Sequence, residues 1–365
     1  MKNTALTIIF SLILLFAVSQ EHTLTHDGII RTYRLHLPIG FQPDTLYPLV
    51  VNMHGLGSNA FEQEIYSEFN NVSDTGGFIV VYPNGIDETW NISSPTGTDD
   101  VGFISAMIDT LDLAYNIDLQ RVYSTGMSMG GFMSYRLACE LSDRIAAIAS
   151  VTGLQAFYPC TPSRKVPVMQ FHGTADQIVP YTGVATTINN WVNYNGCPSS
   201  PITTDLPDIN PQDNSTVTVT YYGLCDNSSE VILYTINGGE HTWPGASIMI
   251  GVTNQDIKAS NEIWTFFQKF TLQGSTAILE SGDETTIAFT IYPNPVDQYA
   301  GVKLTGRLTK PFSFRITGLN GKTYFEKNSL DNPDFVIDCS SIPQGFYIAE
   351  ISSEEGKSFR KIIIQ

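Results

Sequence analysis

Residues 122–131 read Val122-Tyr123-Ser124-Thr125-Gly126-Met127-Ser128-Met129-Gly130-Gly131. The run begins as a strand and ends as a helix, with G-x-S-x-G at the junction. That spacing has a steric cause. A serine on a sharp strand-to-helix turn sits on strained backbone, and glycines two residues to either side remove side chains that would collide with the neighbouring strand and helix. The hydroxyl is then held above the sheet. The helix starting at Met129 aims free N–H groups and its positive end at the place where an oxyanion would form. Ser128 is therefore the candidate nucleophile.

Outward from this turn, apolar runs recur at residues 31–37, 49–53, 78–82, 145–151, 166–171 and 231–236. Several are apolar throughout rather than alternating, as strands covered on both faces require. Ile104, Met107, Ile108, Leu111 and Ala114 share one helical face behind an Asp99-Asp100 cap, and residues 129–141 and 257–270 read as further helices. Strands alternating with helices predict an α/β unit over residues 20–272, a mostly parallel sheet with helices on both faces. Near Gln273 the pattern changes. Residues 273–287, polar through Ser281-Gly282-Asp283-Glu284, predict a linker. Beyond it short alternating runs separated by Asn320-Gly321 and Glu355-Gly356 predict a small all-β sandwich over residues 288–365.

A serine hydroxyl needs a base, and histidine is the side chain suited to that work near neutrality. Of six histidines, His22 and His26 lie near the start and His36 within a strand, while His54 and His172 precede glycines at strand ends, where a loop-shaping role is expected. His241 alone lies on a loop behind a late strand, in Asn237-Gly238-Gly239-Glu240-His241-Thr242-Trp243-Pro244-Gly245. Asp176, in Phe171-His172-Gly173-Thr174-Ala175-Asp176, follows another buried strand and is the candidate acid that orients the imidazole. Asp143 would face the wrong end of the sheet, and Asp205 and Asp208 lie in a polar loop. The order serine, acid, histidine is the one this fold demands. The candidate oxyanion donors are the backbone N–H groups of Met129 and of Leu56, the latter in His54-Gly55-Leu56-Gly57 at the end of the 49–53 strand.

Composition narrows the class. Hydrophobic residues at 42% against 15% charged exclude a disordered chain, and 365 residues exceed one ordinary core. A formal charge of −17 repels phosphate, so nucleic acid is not an expected partner. Met1-Lys2-Asn3 precedes an apolar run to Val18, with Ala17 and Ser19 spaced for a signal peptidase, so residues 1–19 predict a signal peptide. No other segment approaches the roughly 20 apolar residues of a membrane span. Export lets disulfides persist; of the three connectivities open to Cys139, Cys160, Cys197 and Cys225, the pairs closer in sequence, Cys139–Cys160 and Cys197–Cys225, are expected. No cysteine has metal-ligand spacing, and the chemistry needs no metal or organic cofactor.

With His54-Gly55, Asp99-Asp100-Val101-Gly102-Phe103, Gly126 to Gly131, His172 to Asp176 with Val179-Pro180-Tyr181, and His241 to Gly245, residues 25–272 resemble the extracellular polyhydroxybutyrate depolymerase and feruloyl-esterase-like α/β-hydrolases. The resemblance implies an α/β-hydrolase fold and a serine esterase acting on a polymer-borne ester, with Ser128, Asp176 and His241 in the roles above. It also implies that Trp243 borders the acyl pocket, a packed core tryptophan being the other reading. Glu240 departs from it, standing where related sequences often have glycine, so the His241 loop is expected to differ in shape. Tyr292-Pro293-Asn294-Pro295, Leu319-Asn320-Gly321, Gly345-Phe346-Tyr347 and Lys361 to Ile364 resemble the C-terminal sorting domain of the type IX secretion route, implying that machinery as a partner and export to the cell surface or medium. A serine peptidase on the same fold and a non-catalytic surface binding protein are the competing functions.

Overall fold

The computed structural model describes residues 20–272, apart from 95 and 158, and then residues 274–275, 289–292, 296, 298–304, 310–318, 322–353 and 356–364. The expected signal peptide (residues 1–19), the expected linker apart from 274–275, and the turns at Asn320-Gly321 and Glu355 lie outside the described residues. The chain divides into two compact units, residues 1–277 and 278–365.

In the first unit, β1 (Gln20–His26), β2 (Ile29–His36), β3 (Tyr47–Met53), β4 (Ile79–Pro83), β5 (Ile117–Met127), β6 (Ala147–Val151), β7 (Val168–Gly173), β8 (Ile202–Asp205), β9 (Thr216–Tyr222) and β10 (Val231–Asn237) form one sheet. Its order is β1-β2-β4-β3-β5-β6-β7-β10-β9-β8. The strands from β4 through β10 in that order run parallel, while β1, β2, β9 and β8 pair antiparallel at the two edges. All the predicted buried strands are present.

Side-chain alternation splits the core in two. Leu49, Val51 and Met53 of β3 pack with α3 (Asp100–Tyr115), α4 (Met129–Glu140) and α5 (Val184–Tyr194) on one face. Val50 of the same strand joins Phe69 and the aromatic side of α6 (Ala259–Phe267) on the other, with α1 (Ala60–Ser67) and α2 (Phe69–Gly76). Burial on both faces explains why these strands read as continuously apolar. The predicted cap holds as well, since Asp99 accepts the Gly102 N–H at 2.9 Å and starts α3. Cys139 bonds Cys160 and Cys197 bonds Cys225, the pairs closer in sequence. Among the described residues no helix is long and apolar enough to cross a membrane.

The second unit is all-β. A three-stranded antiparallel sheet has the order Phe289–Tyr292, Tyr299–Leu304, Asp334–Asp338, and a four-stranded one the order Thr323–Leu330, Phe312–Gly318, Gly345–Ser353, Gly356–Ile364. Phe314, Ile316, Ile337, Ala349, Ile351 and Ile362 fill the core between them.

Candidate active site

The parallel sheet has a topological switch between β3 and β5: the chain leaves β3 toward β4 on one side and returns to place β5 on the other. In open α/β sheets the crevice beyond the carboxyl ends of such strands is where ligands bind. Here the loop after β3 carries Leu56 and the turn after β5 carries Ser128.

Ser128 has φ 52° and ψ −117°, a backbone region that costs an L-residue about 1–3 kcal/mol and persists only under external constraint. The constraint is visible. Its N–H donates to Val151 O at 2.8 Å and to Thr152 Oγ1 at 3.2 Å, and its carbonyl accepts the Phe132 N–H at 2.9 Å. Packing closes from the other side, because a Cβ on Gly130 would run into Met53 O at the end of β3. Although Ser128 is the N-cap of α4, its hydroxyl caps no N–H of that helix and stays available for other chemistry.

Asp176 follows β7 in a loop whose shape it sets: Oδ1 accepts the N–H groups of Ile178 and Val179, each at 2.9 Å. Oδ2 accepts Nδ1–H of His241 at 2.7 Å, which leaves Nε2 of that ring as the basic nitrogen. The Asp176 side chain is fully buried and that of His241 is 17% exposed. Burial alone would raise the Asp176 carboxyl, but the bonds from His241 and the Val179 N–H outweigh it and hold the group below the ordinary aspartate value.

β10 lies three strands from β5, roughly 14 Å at normal strand spacing, so the loop carrying His241 has to lean back across β7. It does so through backbone bonds. Gly239 O accepts the Ala175 N–H at 2.9 Å, and the approach is close enough that a Cβ on Gly173 would strike Gly239 O. Glu240, the departure seen in the sequence, has a definite place: its N–H donates to Val252 O and its Oε2 accepts the Val252 N–H, both at 3.1 Å.

The loop after β3 is equally fixed. His54 donates from Nδ1 to Gly55 O at 2.7 Å and accepts the Gly85 N–H on Nε2 at 3.0 Å, while Trp90 Nε1–H donates to His54 O at 3.0 Å. Gly57 N–H and Ser58 N–H are bonded to Glu88 O and Gly55 O. Gly55 abuts the serine, since a Cβ on it would lie 3.4 Å from Ser128 Cβ. Met129, at the start of α4, takes a hydrogen bond from Thr89 Oγ1 on its Sδ at 3.2 Å. His26, Asp27 and Asp99 offer ligand atoms within 4.8 Å of one another, but His26 and Asp99 already pair at 3.0 Å and Asp99 caps α3.

Trp243 requires a correction. It is 1% exposed, its indole N–H donates to Ser260 Oγ at 3.1 Å, and its ring meets Phe69 edge-on, so it is a core residue beneath the site and does not wall an acyl pocket. His54 and His172 do shape loops, as their positions before glycines predicted. His172 donates from Nε2 to Val179 O at 2.8 Å and accepts from Gln170 Nε2 on Nδ1 at 3.0 Å. Thr152, Gln170 and Trp90 escaped the sequence reading, because nothing in a single threonine, glutamine or tryptophan marks a hydrogen bond to a loop distant in the chain.

The two loop-shaping rings make stability pH-dependent. Burial holds both His54 and His172 below the ordinary histidine value, although the carbonyls of Gly55 and Val179 pull the other way. An unfolded chain takes up these protons near about pH 6.5, the native one only at lower pH. Stability is therefore full above that pH and falls as pH drops through the window beneath it, by up to about 1.4 kcal/mol per pH unit for each ring. All four tryptophans lie in the first unit, so fluorescence reports on it alone. Urea midpoints followed this way should decline from pH 7 to 5, and less steeply in His172→Gln; an equal slope in both proteins would refute the assignment.

A family model described as Phospholipase/Carboxylesterase matches residues 97–196, and one described as Secretion system C-terminal sorting domain matches residues 290–365. The bifunctional acetylxylan esterase/xylanase XynS20E of Neocallimastix patriciarum is 29% identical over 263 residues, 71% of this chain and 36% of the relative. Feruloyl esterase B of Piromyces equi is 31% identical over 56% of this chain and 41% of its own length. The chain thus spans less than half of either relative. The putative esterase NocK of Nocardia uniformis subsp. tsuyamanensis is 30% identical over 271 residues, 64% of this chain and 78% of NocK. None of the three is named a polyhydroxybutyrate depolymerase. Identity at that level across most of NocK makes this chain a member of the α/β-hydrolase esterase family, joined at residues 290–365 to a sorting domain of the type IX secretion route.

Proposed function

We propose that the protein is an exported serine esterase in which Ser128 is the nucleophile, His241 the general base and Asp176 the acid that orients it. The observation carrying this reading is the 2.7 Å bond from His241 Nδ1–H to the buried Asp176 carboxylate, on the same sheet edge as a strained serine turn. His241 Nε2 takes the Ser128 proton as Oγ attacks the ester carbonyl, and the imidazolium is stabilised by Asp176. The same ring gives that proton to the leaving alcohol, then activates a water that releases the acid from Ser128 Oγ. Leu56 N–H and Met129 N–H hold the negative oxygen in both tetrahedral states.

Relatives that cleave acetyl or feruloyl esters, one of them coupled to a xylanase, support an ester borne on a polysaccharide as the substrate. The domain plan belongs to the same proposal: signal peptide 1–19, catalytic unit 20–272, linker 273–287 and sorting domain 288–365. The test is a panel of p-nitrophenyl esters, methyl ferulate, acetylated xylan, polyhydroxybutyrate and a matched p-nitrophenyl amide, run beside labelling with a fluorophosphonate probe. Ester turnover with Ser128 labelled is expected. Amide turnover as fast as ester turnover would favour a peptidase, and failure to label Ser128 a non-catalytic binding protein.

A further inference from the structure

Immediately behind His241 the chain makes a closed loop over residues 242–252. Its two ends are pinned together by the double bond between Glu240 and Val252, with Thr242 Oγ1–H also reaching Val252 O at 3.4 Å. Its return limb is anchored from below. Gln255 Nε2–H donates to Ala246 O at 3.1 Å, Gly245 N–H to Asn254 O at 2.7 Å, and Thr253 Oγ1 both accepts from the Ile250 N–H and donates to Ile250 O. The tip of this braced loop is Ile248-Met249-Ile250, exposed to 50%, 66% and 58%.

Three consecutive large apolar side chains held in water are costly, and a loop with no other role sheds them for polar residues. Residues 242–255 also contain no Asp, Glu, Lys or Arg in a chain of formal charge −17. Two further apolar side chains are exposed on loops at the same end of the parallel sheet: Leu56, which carries a proposed oxyanion N–H, at 68%, and Ile178, two residues past Asp176, at 72%. Loops that follow β3, β7 and β10 thus each carry an exposed aliphatic side chain within ten residues, along the chain, of a proposed catalytic group.

We propose that Ile248, Met249 and Ile250, braced by Glu240, are the specificity-determining wall for a bulky apolar acyl group of the ester, aromatic or extended aliphatic. The inference rests on the esterase reading above. The hydroxyl-rich alcohol side of a polysaccharide ester does not suit an uncharged aliphatic surface, and the single methyl of an acetyl group is too small to need three such side chains. Glu240 acts as a positioning residue: with glycine there the Val252 N–H loses its acceptor and the tip its brace.

The test uses the full chain and compares kcat/KM for p-nitrophenyl acetate, p-nitrophenyl octanoate and methyl ferulate. The variant Ile248→Ser/Met249→Ser/Ile250→Ser is expected to lose about ten- to a hundredfold on whichever of the two larger acyl groups the native enzyme prefers, with acetate changed by less than about threefold. Glu240→Gly should show the same selective loss in weaker form, and Glu240→Gln, which keeps an acceptor for Val252 N–H, should restore most of it. An equal fall on all three esters would make the tip a support of the catalytic loop, and no change on any would leave it without a role; either result overturns the proposal. If the native protein cleaves none of the esters, or Ser128→Ala still cleaves them, the esterase reading itself fails, which separates the two outcomes.

Discussion

Replacing Ser128 by alanine should lower kcat for ester hydrolysis by about 10⁵- to 10⁶-fold while leaving the protein folded. The size follows from what is lost: without Oγ no acyl-enzyme forms, His241 has no proton to take, and what survives is whatever the oxyanion donors and binding do for attack by water. Folding should not suffer, because the hydroxyl caps no helix and the backbone bonds to Val151, Thr152 and Phe132 involve main-chain atoms of Ser128 alone. The turn adds a second, more discriminating result. At φ 52° and ψ −117° any side chain is strained, so Ser128→Gly should be as inactive as Ser128→Ala yet more stable than it by about 1 kcal/mol or more. Steady-state kinetics with urea unfolding of both variants would check this; a Ser128→Ala protein retaining a hundredth of native kcat would remove Ser128 from the mechanism.

Asp176→Asn should lower kcat by about 10⁴-fold with a small change in KM. The hydrogen bonds leave the new amide little choice. Its oxygen has to stay where Oδ1 accepts the Ile178 and Val179 N–H groups, which turns the NH₂ toward His241 Nδ1. An NH₂ donates, so Nδ1 becomes the acceptor, the ring proton moves to Nε2, and the nitrogen meant to take the serine proton already carries one. The substitution also removes a pH term. The native carboxyl lies below its unfolded value, so its contribution to stability is full above the unfolded pKa and is lost as pH falls through the folded one. Acid unfolding of Asp176→Asn should lack that segment. A variant with near-native kcat would place the orienting acid elsewhere.

The proposed catalytic machinery was legible because each member is announced by its neighbours in the chain. Ser128 lies between glycines at a strand-to-helix junction, and Asp176 and His241 follow buried strands in the order the fold demands. The parallel strands could be located by their apolar runs, since burial on both faces leaves few polar positions, such as Asn52 in β3 and Gln170 in β7, to break the pattern. α1, α2 and α5 were not foreseen. α1 and α2 bury few residues, Ala60, Gln63 and Ser67 in the one and Phe69 and Ser73 in the other, among them polar side chains that only their partners satisfy: Asn52 and Ser67 hydrogen-bond at 3.0 Å, and Gln63 reaches Asn52 at 2.8 Å. α5 differs, since Val184, Ile188, Trp191 and Val192 do form an apolar face in the sequence. β1, β8 and β9 were not foreseen either. β1 and β8 lie at the two edges of the sheet, where exposed and half-buried side chains leave no apolar run, and β9, between β10 and β8, is half-buried along most of its length.

Trp243 shows the limit most clearly. Its place two residues after His241 says that it is near the site, but not on which side of the loop the indole falls, and Ser260 and Phe69 decide that from distant parts of the chain. Local order in the chain determined the chemistry proposed for this protein, because a candidate nucleophile, acid and base are properties of residue type and of the turn each occupies. Which side chains surround that chemistry was left to the tertiary structure. Burial and hydrogen bonding between segments such as Ala175 with Gly239, or His54 with Gly85, depend on close approach between loops that follow different strands, and that distance is written in no single stretch of residues.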